Sequence, residues 1–121
     1  MNKMVFAFDE VRAKRDGVDP AALWAMVDGW VDKCVKTHHG EYKKETDPDG
    51  GVAYIGLGHE TDWWQAFFSI TIQAYFSKDM AKYCSKWEWY YDEDEEDEQF
   101  VEDVLSNFLE KNDFYRMMDR A

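Results

Sequence analysis

The chain has 121 residues, 45 % hydrophobic and 33 % charged, with a formal net charge of −12. That length suits one domain with one core, the apolar content excludes wholesale disorder, and no run of about 18 apolar residues is present to cross a membrane. The charge is uneven: residues 1–46 hold eight basic and eight acidic side chains, and residues 92–121 hold three basic and twelve acidic, net −9. A field of that sign repels nucleic acid and anionic membrane and draws basic proteins from a distance. The start, Met1 to Phe6, lacks the apolar core and cleavage site of a signal peptide, so the expected location is cytoplasmic. Cys34 and Cys84 then read as reduced thiols.

Met4, Phe8, Val11 and Arg15 recur at spacings of three and four and predict a first helix over 4–15. A short strand over Met4–Phe8 is the alternative, because Val5-Phe6-Ala7-Phe8 is compatible with β structure. Gly17 followed by Val18 is a left-handed helix stop. A second helix opens at Asp19 as N-cap with Pro20 in the first position. Leu23, Trp24, Val27, Trp30, Val31, Cys34 and Val35 give it one broad apolar face, with Asp28, Gly29, Asp32 and Lys33 opposite. It should end near His38-His39, with Gly40 as the stop.

A hairpin follows, Tyr42–Thr46 and Val52–Leu57, turned by Asp47-Pro48-Asp49-Gly50-Gly51. From 64 to 76 every even position is apolar, a period of two that predicts a strand, although Asp62-Trp63-Trp64-Gln65 has the form of a helix capping box. Residues 82–91 alternate in part, Tyr83, Trp87, Trp89 and Tyr91 against Lys82, Lys86 and Glu88, and also fit helical spacing. Phe100, Val101, Val104, Leu105, Phe108 and Leu109 form an i, i+4 stripe and predict a final helix. The fold expected is α+β: two N-terminal helices, a small antiparallel sheet of about four strands and one C-terminal helix, in a single domain 1–121. A mostly helical chain with one hairpin is the alternative.

Few residues suggest reaction chemistry. Cys34 and His38 have metal-ligand spacing on one helix face, and zinc would also need ligands such as His59 and Cys84, yet a core cysteine and a helix-end histidine account for the same residues. His59, Glu60 and Asp62 share one loop and could serve a small enzyme, but no nucleophile or oxyanion donor accompanies them. Asp47-Pro48-Asp49-Gly50 has the oxygen spacing that opens a calcium loop, but glycines stand at 51 and 58 where ligands are needed, and a β-turn explains the residues better. The expectation is a chain that is not an enzyme and holds no cofactor or metal.

The most distinctive stretch is Asp92-Glu93-Asp94-Glu95-Glu96-Asp97-Glu98, preceded by Trp87-Glu88-Trp89-Tyr90-Tyr91. Acid at a helix N-terminus is favoured by the macrodipole, which accounts for the last few of these carboxylates. It leaves Asp92, Glu93 and Asp94 beside an aromatic cluster, where aromatics anchor a partner and carboxylates steer it. Trp87, Trp89, Tyr90, Tyr91 and residues 92–98 are therefore the candidate binding residues. The expected partner is a basic protein, such as a nuclease or another nucleic-acid-binding enzyme, with no direct binding to nucleic acid or membrane. In size and composition the chain is similar in character to inhibitors that imitate nucleic acid, such as phage anti-CRISPR and anti-restriction proteins, and to immunity proteins or antitoxins; no motif ties it to one family. A protein-interaction or oligomerisation module without mimicry is the alternative.

Overall fold

The computed structural model describes residues 2–37, 39–57, 82–92 and 99–106. Its described elements are β1 (Lys3–Phe8), α1 (Glu10–Arg15), α2 (Pro20–Thr37), β2 (Tyr42–Thr46), β3 (Val52–Gly56), β4 (Cys84–Asp92) and β5 (Gln99–Asp103). The strands form one antiparallel sheet in the order β2-β3-β1-β4-β5. The α+β class and the antiparallel sheet agree with the sequence reading, and the expected strands over 42–46, 52–57 and 82–91 correspond to β2, β3 and β4; the described residues form five strands where about four are expected, with β1 and β5 added. The strand expected over 64–76 lies outside the described residues.

The first element corrects an expectation. Residues 3–8 are a strand at the centre of the sheet rather than the start of a helix over 4–15. Met4, Phe6 and Phe8 face α1 and α2, while Val5 faces the other way with Ala53 and Ile55, so both sides of β1 are withdrawn from water. A strand buried on both faces is apolar at consecutive positions, and such a run also satisfies a helical template. The helix begins only after Asp9, whose carboxylate accepts the Arg12 N–H at 3.0 Å. It ends at the expected stop: Gly17 has φ +80°, Val18 N–H reaches the Ala13 carbonyl at 2.8 Å and Gly17 N–H the Lys14 carbonyl at 3.1 Å.

Helix α2 follows its sequence signals closely. Asp19 accepts the Ala21 N–H at 3.0 Å, Pro20 opens the helix, and Leu23, Val27, Val31 and Val35 are buried, with Trp24, Trp30 and Cys34 packed beside them. Its C-terminus differs in one residue. His39, at φ 55°, takes the left-handed position, and Gly40 N–H then closes the cap on the Val35 carbonyl at 2.9 Å. The buried face of α2 shares one core with Met4, Phe6, Phe8, Tyr54 and Trp87 of the sheet. Phe8 meets Trp24 edge-on, with centroids 4.8 Å apart and planes at 84°. None of the described helices is long and apolar enough to cross a membrane.

The outer side of α2 is also tied to the hairpin. Tyr54 donates to Asp28 Oδ1 at 2.6 Å, Lys44 Nζ donates to both Asp28 oxygens at 3.0 and 2.9 Å, and Tyr42 donates to Asp32 Oδ1 at 2.6 Å. Burial, followed by the carboxylates that accept their protons, pushes the Tyr54 and Tyr42 hydroxyls far above their ordinary range. Asp28 and Asp32, one helical turn apart on the polar side of the wheel, are thus the clamp that seats β2 and β3 against the helix.

The hairpin turn is fixed from three sides. Asp47 N–H donates to the Gly51 carbonyl at 2.9 Å, Gly50 N–H to the Asp47 carbonyl at 3.1 Å, and the buried Asp47 carboxylate accepts from Asp49 N–H at 3.1 Å and from Lys3 Nζ at 3.3 Å. Gly51 has φ +91°, and a Cβ there would run into the Phe6 carbonyl. The calcium reading of this stretch is therefore unnecessary, because the Asp47 carboxylate is already engaged within the turn and with β1.

The C-terminal expectation needs a second correction. Residues 99–103 are not helical: they pair with β4, Tyr91 opposite Phe100 and Asp92 opposite Gln99. Helical conformation begins at Val104, after Asp103, whose carboxylate accepts from Ser106 N–H at 2.9 Å and from the Ser106 hydroxyl at 2.6 Å. Phe100 and Val101 belong to the strand, and Val104 and Leu105 to the core. The continuation of the stripe through Phe108 and Leu109 lies outside the described residues.

Candidate binding surface

The strand register decides where the acidic run sits. Because Asp92 and Gln99 are cross-strand partners, residues 93–98 are the connection between β4 and β5. Strand β5 stands between this connection and the helical turn at Val104. Helix-dipole stabilisation acts only within the first turn, so it does not explain these carboxylates. Asp92 ends β4, while Glu93, Asp94, Glu95, Glu96, Asp97 and Glu98 lie outside the described residues.

The aromatic cluster before the run divides by strand parity. Trp87, Trp89 and Tyr91 point to the helix side and Tyr90 to the other, as successive residues of a strand must. Trp87 is 0 % exposed and stacks on Phe6 with centroids 5.1 Å apart, so it is a core residue and offers no surface to a partner. Trp89 is half-buried at the edge of that core. Its ring centroid lies 4.4 Å from that of Tyr91, and Tyr91 stacks on Phe100 of β5 with centroids 5.7 Å apart and planes at 23°. Trp89, Tyr91 and Phe100, all half-buried, make an aromatic row that leads along β4 to the acidic connection.

Tyr90 belongs to a different group. It packs against Val5, Ala53 and Ile55, donates to Glu88 Oε2 at 3.3 Å and lies under Lys3 Nζ, 4.9 Å from its ring centroid. Burial and then the Glu88 charge push its hydroxyl above the ordinary tyrosine range. Glu88 also pairs with Lys86 at 3.2 Å. Lys3 with Asp47 and Lys86 with Glu88 thus neutralise one another around Tyr90 on the second face.

Phe100 was the site residue missed in the sequence, where it read as helix core. Its role is visible only once 99–103 is paired with β4, and the signal that separates strand from helix there is Asp103 with Ser106, an N-cap placed after the apolar pair. The cysteines show no reactive character. Burial pushes the Cys84 thiol up to about 12 and the Cys34 thiol up to about 11, and the two are not bridged. No group of three or more histidine, cysteine or acidic side chains capable of holding a metal occurs among the described residues, and His38 and His59 lie outside them. The enzyme alternative built on His59, Glu60 and Asp62 also lies outside the described residues.

This geometry defines an α+β protein whose sheet carries an acidic connection at one end and an aromatic row beside it. Comparison with family models, with curated proteins and with solved structures finds no match to the chain.

Proposed function

We propose that the chain is a small acidic, non-enzymatic binding protein that inhibits a basic partner, most simply a nuclease or another nucleic-acid-binding enzyme. The observation that carries this reading is the register of Asp92 against Gln99, which makes residues 93–98 the link between two neighbouring strands. Six consecutive carboxylates in such a link repel one another and have lost their helix-dipole reason, so a benefit outside the fold accounts for them best. Consecutive in the sequence, they carry the sign of charge of a phosphate track and suit a Lys/Arg-lined groove. Trp89, Tyr91 and Phe100 supply apolar contact next to that charge. An anti-defence inhibitor of the anti-CRISPR or anti-restriction type, and an immunity protein or antitoxin, would both use this physics.

The test is capture of a partner by the native chain and by a variant carrying Asp92→Asn, Asp94→Asn, Glu95→Gln and Asp97→Asn. The variant should fold normally and bind more slowly, with a flatter salt dependence. Equal binding by both chains through a salt series would reduce the acidic run to a solvated segment.

A second reading, an oligomerisation module, is favoured by Val101, which is 53 % exposed on β5, the last strand in the described sheet order. Exposed apolar side chains on an outer strand invite pairing with another chain. Light scattering separates the two: a stable dimer lost on Val101→Lys supports assembly, and a monomer at all working concentrations opposes it.

A further inference from the structure

The sequence contains three Asp-Gly pairs: Asp16-Gly17, Asp28-Gly29 and Asp49-Gly50. Glycine leaves the following peptide nitrogen unhindered, so each pair is chemically able to cyclise. The nitrogen attacks the aspartate Cγ, a new N–Cγ bond forms, the Cγ–OH bond breaks, and the amide proton leaves with that hydroxyl as water. Hydrolysis of the resulting succinimide adds one water back. Opening at Cγ restores aspartate; opening at the original main-chain carbonyl leaves the chain running through Cγ, as isoaspartate. No oxidant or other reactant is needed, and the mass does not change.

The structure treats the three pairs differently. Gly29 lies within α2, and the Asp28 carboxylate is held by the Tyr54 hydroxyl and by Lys44. The Asp16 carboxylate accepts from Tyr83 at 3.1 Å and pairs with Lys82 and Arg15, each at 3.4 Å, while Gly17 N–H is held by the Lys14 carbonyl in the helix cap. At both sites, rotating the carboxyl toward the peptide nitrogen breaks tertiary interactions. Asp49 is exposed at the tip of the β2–β3 turn, and its carboxylate enters no hydrogen bond or ion pair among the described residues. Gly50 is also exposed, at φ +102°, and the space where a Cβ would stand is open. One hydrogen bond restrains its nitrogen, the 3.1 Å contact with the Asp47 carbonyl in a solvent-facing turn.

From this contrast we infer that Asp49 is a site of spontaneous isoaspartate formation, selected by the fold from three equivalent sequences. The product lengthens the main chain by one carbon inside a turn closed by Asp47 N–H on the Gly51 carbonyl, next to the position where Gly51 is seated against Phe6. The turn that holds Asp47 against Lys3 is the part of the fold this change loosens.

The experiment incubates the intact folded chain at mildly acid to neutral pH and at elevated temperature below unfolding, then locates isoaspartate by peptide mapping. A parallel sample is kept in concentrated urea. In the folded chain Asp49 should convert about tenfold or more faster than Asp16 and Asp28, because the latter two need local opening first. In urea the three rates should converge. Asp49→Glu, which does not form the five-membered ring readily, should abolish the main product. Equal rates in the folded chain, the same ranking in urea as in buffer, or an undiminished signal in Asp49→Glu would each overturn the assignment.

Discussion

Asp92 at the end of β4 lies directly across from Gln99 at the start of β5, and that pairing makes the acidic stretch a link between strands rather than the head of a helix. The distinction changes what the carboxylates do. At a helix start they would stabilise the fold by about 0.3–1 kcal/mol each within the first turn. Between two strands they gain nothing of that kind, so neutralising them should leave stability unchanged or improve it. Chemical denaturation of the variant with Asp92→Asn, Asp94→Asn, Glu95→Gln and Asp97→Asn checks this, and a loss of several kcal/mol would restore a structural role.

Trp87 and Trp89 are two residues apart on the same side of β4, yet they should respond differently to truncation. Trp87 is enclosed and stacked on Phe6, so Trp87→Ala should cost about 3–5 kcal/mol, the range for a large aromatic removed from a core. Trp89→Ala should cost clearly less and should weaken partner binding. Urea midpoints of the two variants give the comparison directly.

Gly51 is held where a side chain does not fit. Its φ of +91° and the Phe6 carbonyl facing its missing Cβ predict that Gly51→Ala costs about 2–4 kcal/mol, combining left-handed strain with a backbone collision. Gly50→Ala meets only the strain and should cost less. Thermal melts of both variants test the difference.

The clamp between α2 and the hairpin should show coupling. Tyr54→Phe removes one hydrogen bond to a carboxylate that Lys44 still neutralises, costing about 1–2 kcal/mol. Asp28→Ala leaves the buried Tyr54 hydroxyl without its acceptor and should cost more. The double variant should cost less than the sum of the two, since one lost contact is counted in both.

Asp16 predicts a pH dependence. Desolvation acts to raise its carboxyl, but the Tyr83 hydroxyl, Lys82 and Arg15 together outweigh it, and the group ends below its ordinary value of 3.8. A carboxylate lowered in the folded state stabilises above that ordinary value and loses its contribution as pH falls through the lower folded value. The stability gap between the native chain and Asp16→Asn should therefore be present at neutral pH and close below pH 3.8. A gap that stays constant into strong acid would contradict it.

How much of this fold is legible in the sequence varies with the element. Helix α2 was read nearly to the residue, because Asp19-Pro20 marks its start and a one-sided apolar face follows. The hairpin was read as well, since Asp47-Pro48-Asp49-Gly50-Gly51 can do little but turn, although β3 stops at Gly56 and leaves Leu57 exposed. Residues 4–8 fit both a helix and the alternative strand, and the strand is the outcome: Met4, Val5 and Phe6 are all fully buried, and a strand enclosed on both faces has no alternation to show. The 100–105 stripe misled for another reason: it crosses from strand to helix at Asp103, and two short pieces of different period add up to one apparent helical face. Of the candidate site, the acidic run and its aromatic neighbours were visible, while the burial of Trp87 and the part played by Phe100 depend on strand pairing that no local pattern encodes.

The claim that the acidic link occupies a nucleic-acid-binding groove is tested most directly by competition. Immobilised native chain is exposed to host lysate, and whatever it captures is challenged first with rising salt and then with duplex DNA or RNA. The account predicts a basic, nucleic-acid-binding protein that is released by moderate salt, is displaced by nucleic acid, and is not held by the variant neutralised at 92, 94, 95 and 97. A captured protein that the neutralised variant holds equally well through the salt series, or that nucleic acid fails to displace, would contradict it.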